Sequence, residues 1–282
     1  MESVDILLIG HFAKDELIVD GRGQISSGGG VYYGSVVLRR LGLRVAVVTR
    51  LHPQDFPRLE ELREEGVEVY PIPAPQTSGI ANYYQSADME RRICKPLGFA
   101  GPFQGEDIPD VNARIYAVVP IIAGEVDLPM LERIAKRGPL ALDVQGFVRV
   151  RQDGDLVFRP WEEMERGLSN VTYLKVDRAE AELITGLTDL PEAAYRLAAY
   201  GPKEIVITQT SGVTVYADGQ IYMAPFNPRS LDGRTGRGDT CFAAYLGTRL
   251  RSGPAEATRL AGQITSRKQE QPGPWRGNLD AP

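Results

Sequence analysis

Asp232-Gly233-Arg234-Thr235-Gly236-Arg237-Gly238-Asp239-Thr240-Cys241-Phe242-Ala243-Ala244-Tyr245 is a glycine-rich turn that runs straight into an apolar helical stretch, with a carboxylate at the junction. Gly236 and Gly238 let the backbone aim its N–H groups at one point, and a helix starting near Asp239 adds its positive dipole end there. An anion belongs at that point. A bound phosphate would repel Asp239 unless the carboxylate had a task, and beside a transferring phosphoryl group it can take the proton of an attacking hydroxyl. The same string also reads as an ordinary glycine loop with an Asp N-cap.

A second glycine turn feeds a helix near the other end of the chain: Gly28-Gly29-Gly30-Val31-Tyr32-Tyr33-Gly34, continuing to Leu41-Gly42. Between the two lies Leu174-Lys175-Val176-Asp177-Arg178-Ala179-Glu180, which runs on to Gly186. Taken in order, these segments resemble the PfkB (ribokinase-like) carbohydrate kinases. That family has an N-terminal Gly-Gly motif ending in Leu-Gly, a central Asn-x-x-Glu and a C-terminal Asp-x-Thr-Gly-Ala-Gly-Asp. The resemblance covers essentially the whole chain. Gly236-Arg237-Gly238-Asp239-Thr240, the stretch Asp143-Val144-Gln145-Gly146-Phe147-Val148-Arg149 and Pro272-Gly273-Pro274 are most similar to the myo-inositol kinase-like branch.

Composition is consistent with such an enzyme. With 282 residues and a formal net charge of −5, the chain can bury a sizeable core but carries no field that would attract nucleic acid. Basic residues are scattered, so a small-molecule substrate is the expectation. No apolar run is long enough to span a bilayer, and Met1 to Gly10 lacks the layout of a secretory signal, so the protein reads as cytoplasmic. Cys94 and Cys241 are too few for a disulfide framework, and with only His11 and His52 a zinc centre is not expected.

Short apolar runs at Val4 to Ile9, Val45 to Thr49, Ile115 to Val119, Leu140 to Val144, Val171 to Leu174 and Ile205 to Thr208 read as strands. Helical spacing covers Val31 to Leu41, Asp55 to Glu65, Leu128 to Arg137, Pro191 to Tyr200, Thr240 to Leu250 and Ala255 to Lys268. The alternation predicts one α/β domain over residues 1–282, a doubly wound, mostly parallel sheet flanked by helices. Residues 16–27, around Asp20-Gly21, and about 67–95, around Pro71, Pro73 and Pro75, fit a small β lid; edge strands of the main sheet are the alternative. A lid would exclude water from a reacting phosphoryl group. Its edges leave a monomer and a homodimer both open.

The resemblance implies a role for each candidate residue. Asp239 is the general base, and Gly236, Arg237 and Gly238 stabilise the transferred phosphoryl, with Arg237 standing where the family usually has Ala. Asp15, Gly28, Gly29, Tyr33, Asp143 and Gln145 bind the acceptor, a polyol whose hydroxyls suit carboxylate partners. Lys175, Asp177, Thr208, Thr210, Gly212, Thr235 and Ser266 serve an ATP donor. Glu180 positions Mg²⁺ through water, while Asp177 and Glu180 also read as a helix capping box. Six residues before Asp239 the family has Asp and this chain has Gly233, which puts the family's monovalent-cation site in question.

The leading expectation is an ATP-dependent kinase for a sugar or cyclitol, myo-inositol first. Arg91 and Arg92 leave room for an acidic sugar such as 2-keto-3-deoxygluconate, and fructose and ribose are other sugar candidates. Tyr32, Tyr33 and Tyr83 leave room for a nucleoside stacked on their rings. A sugar-binding protein without turnover is a further alternative. A Rossmann dinucleotide site and a P-loop are excluded by the absence of their glycine strings.

Overall fold

In the computed structural model, which describes residues 3–85 and 88–277, the strand β1 (Ser3–Ile9) shows how the protein is layered. Ile6 and Leu8 pack into one core while Leu7 and Ile9 pack into another, so this strand is buried on both faces. A hairpin of β2 (Ala13–Val19) and β3 (Arg22–Gly28) follows, then α1 (Gly30–Arg40) and β4 (Val45–Leu51). The predicted helix from Asp55 to Glu65 is instead a 3-10 segment, Pro53–Leu59, leading into the short α2 (Glu60–Glu64), since Pro57 denies one N–H to an α-helix. Next come β5 (Glu68–Pro73) and a second hairpin, β6 (Gly79–Gln85) with β7 (Asp88–Gly98).

The alternation resumes with β8 (Asn112–Val118), α3 (Leu128–Ala135), β9 (Leu140–Asp143) and α4 (Gln145–Val148). A hairpin of β10 (Arg149–Gln152) and β11 (Asp155–Phe158) and the helix α5 (Met164–Leu168) lead to β12 (Tyr173–Asp177). The chain continues through α6 (Arg178–Thr185), α7 (Leu190–Ala198), β13 (Glu204–Gln209), β14 (Gly212–Ala217) and β15 (Gln220–Pro225). It closes with α8 (Arg237–Arg249) and α9 (Pro254–Gln269).

Among the described residues the main sheet has nine strands in the order β15-β14-β13-β12-β9-β8-β1-β4-β5. All neighbours from β13 to β5 pair in parallel, and β14 and β15 close one edge antiparallel. Helices α1, α8 and α9 cover one face, and α3, α5, α6 and α7 cover the other. The winding reverses between β1 and β8, so the loops beyond their carboxyl ends are where a doubly wound sheet opens a crevice.

Among the described residues a separate four-stranded sheet, β3-β2-β6-β7, holds the segments expected to form a lid. Its second part begins later than expected. Residues 68–73 pair in parallel with β4, from Ala46 with Glu68 to Leu51 with Pro73, and belong to the main sheet. Pro71 and Pro73 are tolerated there because β5 is an edge strand with one unpaired side. The root of the four-stranded sheet is tied to the main sheet by buried Glu125, whose carboxylate accepts from the N–H groups of His11, Ile121 and Ile122. Three hairpins turn at Asp-Gly pairs with both residues at positive φ: Asp20-Gly21, Asp153-Gly154 and Asp218-Gly219.

At the far end of α8, Tyr245 donates to buried Glu204, which also accepts from Arg249 at 2.7 Å. Glu204→Ala would leave a phenol and a partly buried guanidinium without their partner. A loss of about 3 kcal/mol is expected, read by chemical denaturation; a loss below about 1 kcal/mol would mean that water replaces the carboxylate.

Candidate active site

The helix α8 begins one turn earlier than its apolar pattern suggested, at Arg237, with Gly236 as N-cap at φ 80°. Asp239 therefore sits inside the first helical turn, and no side chain caps this helix. Its carboxylate takes a hydrogen bond from its own backbone N–H in that turn. Gly236 also lies hard against the Tyr33 ring, where a Cβ would come within 2.4 Å, so only glycine fits the turn on both counts. Through this contact the two glycine motifs, distant in sequence, become neighbours.

Beside the turn is a cleft of about 320 Å³, lying over the carboxyl ends of β8, β9, β12 and β13 and under the four-stranded sheet. Asp15, Gly29, Tyr33 and Gln145, all expected on the acceptor side, are among its lining residues. Lys175, Asp177, Thr208, Thr210 and Thr235, all expected on the donor side, line it too, as do Gly236, Arg237, Gly238 and Asp239. Residues that sequence reasoning did not assign also face this space: Ile80 and Asn82 from the four-stranded sheet, Ile121 from the β8 loop, and Arg149 and Arg234. Arg149 is nearly fully buried, and a buried guanidinium needs an anionic or hydrogen-bonding partner, but that burial shows only in the fold. Asn82, an amide next to Ile80 and Ala81 in its strand, did carry a signal in the sequence.

Four predicted residues lie elsewhere. Asp143 is buried and bonded to Lys175, with Nζ 3.1 and 3.0 Å from its two oxygens, so it positions the lysine instead of facing the cleft. Gly28 does not line the cleft either; a Cβ there would meet the Asp15 carboxylate at 2.3 Å, and the glycine makes room for that side chain. Gly212 is locked in the β13–β14–β15 ladder opposite Gln209 and Pro225. Ser266 spends its hydroxyl on Gly262 O and on the N–H of Asn227, and borders a second depression of about 710 Å³ with Trp275. Among the described residues none lines both depressions. Arg91 and Arg92 have side chains outside the described residues.

The charges explain one another. Burial disfavours the Lys175 ammonium, but Asp143, Glu180, Asp177 and Asp239 together outweigh it and hold the lysine charged. Asp239 is half-buried, and desolvation raises its carboxyl to about 6 against the pull of Lys175. Glu180 is fully buried behind Asp177 in the capping box, with its Oε2 accepting from the Asp177 N–H at 2.7 Å. Burial raises it to about 7, opposed by Lys175 at 3.8 Å.

Among the described residues no group of three His, Cys, Asp or Glu side chains could cage a metal. Glu180 Oε1 is buried and has no hydrogen-bond partner there, and Asp177 opens on the cleft. That pair fits a hydrated Mg²⁺, which keeps its waters and touches few side chains.

Because Asp239 is raised when folded, its native protonated form is favoured, and stability falls as pH rises from about 4 to about 6. Asp239→Asn removes that penalty. The variant is expected to melt higher than the wild type above pH 6 and equally near pH 3, by scanning calorimetry. A variant melting lower at both pH values would show that the carboxylate is a structural support.

Comparison with known proteins identifies the family and the fold. The profile of the pfkB family of carbohydrate kinases matches residues 4–268. A cytidine kinase of Thermococcus kodakarensis is 28% identical over 272 residues, covering 90% of this chain and 91% of that protein. A pyrophosphate-dependent kinase of the ribokinase family, solved with sulfate, superposes with a TM-score of 0.91 at 38% identity, covering 96% of this chain and 97% of that one. Another such kinase structure, holding a pyrophosphate analog and myo-inositol, gives a TM-score of 0.90 at 37% identity over the same shares. Among the described residues no helix is long and apolar enough to cross a membrane. The chain has the ribokinase-like fold and belongs to the pfkB family of carbohydrate kinases.

Proposed function

We propose that this kinase transfers a phosphoryl group from pyrophosphate to one hydroxyl of a cyclitol, myo-inositol first. One observation carries the choice of donor: among the described residues none lines both the cleft and the depression beside Ser266. The segment 229–233 is stitched to the end of α9 by hydrogen bonds from Gly233 N to Gln269 O at 2.8 Å, from Lys268 Nζ to Gly233 O at 2.6 Å and from Arg229 N to Glu270 Oε1 at 2.9 Å. This seam separates the anion turn from the depression around Ser266, so a donor reaching from one to the other would have to open it. A diphosphate needs only the turn. The ATP donor expected from the family motifs is thus replaced in our reading, in keeping with the 37%-identical structure that holds a pyrophosphate analog.

For the acceptor, Asp15 and Asn82 offer hydrogen-bonding groups beside the apolar walls of Ile80 and Ile121. Stacking of a base has little support: Tyr32 is buried and donates to Glu61, the Tyr33 ring is covered by Gly236, and Tyr83 is exposed but is not among the residues lining the cleft. The acceptor oxygen attacks the nearer phosphorus, its proton passes to Asp239, the bridging P–O bond breaks and orthophosphate leaves. Backbone N–H groups at 236–238, Arg237, Arg234 and Lys175 face the negative charge that shifts onto the leaving oxygens. When bound, Mg²⁺ neutralises charge on donor oxygens, and Asp177 and Glu180 would hold its waters.

Phosphorus NMR on mixtures of one donor and one acceptor tests this directly. Pyrophosphate with myo-inositol should give orthophosphate and an inositol monophosphate, while ATP or cytidine in place of either should give slow turnover or none. Turnover with ATP but not pyrophosphate, or preference for cytidine, would sink the proposal. Asp239→Asn should lower kcat by about 10² to 10⁴, and wild-type kcat should fall as pH drops below about 6, where the base becomes protonated.

A further inference from the structure

Lys268, on α9, is 2% exposed, and neither the apolar pattern nor the phosphotransfer chemistry above accounts for burying it. Its ammonium donates to Gly233 O at 2.6 Å and lies 3.4 Å from Gln271 O. It also sits 5.3 Å from the centre of the Tyr33 ring, the ring that packs under Gly236. Two backbone carbonyls and an aromatic face are the surroundings of a bound cation, and here the cation belongs to the chain.

The resemblance to the family implied a monovalent cation near this turn, with a carboxylate at the place of Gly233. The residues present do not fit one. Gly233 has no carboxylate, and a Cβ there would lie 1.8 Å from Gln271 O, so the position cannot accept a side chain. A metal ion sharing the Gly233 carbonyl would also face the Lys268 ammonium at close range. We infer that Lys268 is a built-in substitute for an exchangeable cation, a positioning residue that fixes the anion-binding turn and keeps a positive charge behind it. Burial lowers the lysine to about 8, with Asp239 opposing, so it stays mostly charged at neutral pH.

The inference rests on the phosphotransfer reading, so it is tested with whichever donor and acceptor are found to turn over; if none does, that reading fails first. Wild-type kcat should be the same in potassium, sodium and tetramethylammonium salts, and its melting temperature should not respond to potassium. Lys268→Ala should lose roughly 10- to 100-fold in kcat, the usual cost of removing an outer-shell partner. Potassium or methylammonium should restore several-fold of that loss and raise the melting temperature of this variant alone. Lys268→Met, which fills the space without charge, should stay folded, remain slow and gain nothing from either ion. Activation of the wild type by potassium, or wild-type turnover in Lys268→Met, would overturn the inference.

Discussion

In the proposed reaction a carboxylate must accept a proton beside an incoming phosphate and so stay ionised in a desolvated place, which the cluster around Lys175 favours. The lysine is buried, which by itself would favour the neutral amine, yet Asp143 holds it in contact and Glu180, Asp177 and Asp239 surround it. Its charge in turn lowers the cost of ionising Asp239. Strand β12 delivers Lys175 and Asp177, β9 delivers Asp143, and the capping box at the start of α6 fixes Glu180. The parallel pairing of β9 with β12 places Asp143 opposite Lys175, so sheet register sets the electrostatics of the site.

The anion turn is held from two sides. Tyr33 on α1 presses against Gly236, and Lys268 on α9 grips Gly233. Both supports come from helices on the same face of the sheet as α8, packed in one core. In the proposed reaction such bracing would preorganise the turn for the charge that shifts during transfer, and preorganisation of this kind is where electrostatic stabilisation gains most. The same contacts join the segment 229–233 to the end of α9, between the cleft and the depression around Ser266.

The parallel sheet was legible because its strands are short, continuous apolar runs between amphipathic helices, and the expectation at Asp239 came from a carboxylate after a glycine turn, which is chemically conspicuous. The edges were harder to read. Pro71 and Pro73 suggested a lid, but an edge strand tolerates proline, and β5 proved to be part of the main sheet. Hairpins β10–β11 and β14–β15 carry the same Asp-Gly signal that was read at Asp20-Gly21, yet their strands are half-polar and blended into loops. Asp143 and Ser266 were assigned by motif position, whereas the structure commits one to Lys175 and the other to Gly262 and Asn227. Partnerships of that kind depend on elements distant in sequence. Lys268 was invisible for a similar reason, since nothing near it in the chain shows which carbonyls it will meet.

The most direct measurement is a crystal structure of this chain with methylene diphosphonate and myo-inositol bound together. The account predicts the diphosphonate at the amino end of α8, within hydrogen-bond reach of the 236–238 backbone and Lys175, with one inositol hydroxyl next to Asp239 and the 229–233 seam closed. A diphosphonate seated in the depression beside Ser266 and Trp275, or an inositol with no hydroxyl near Asp239, would contradict it.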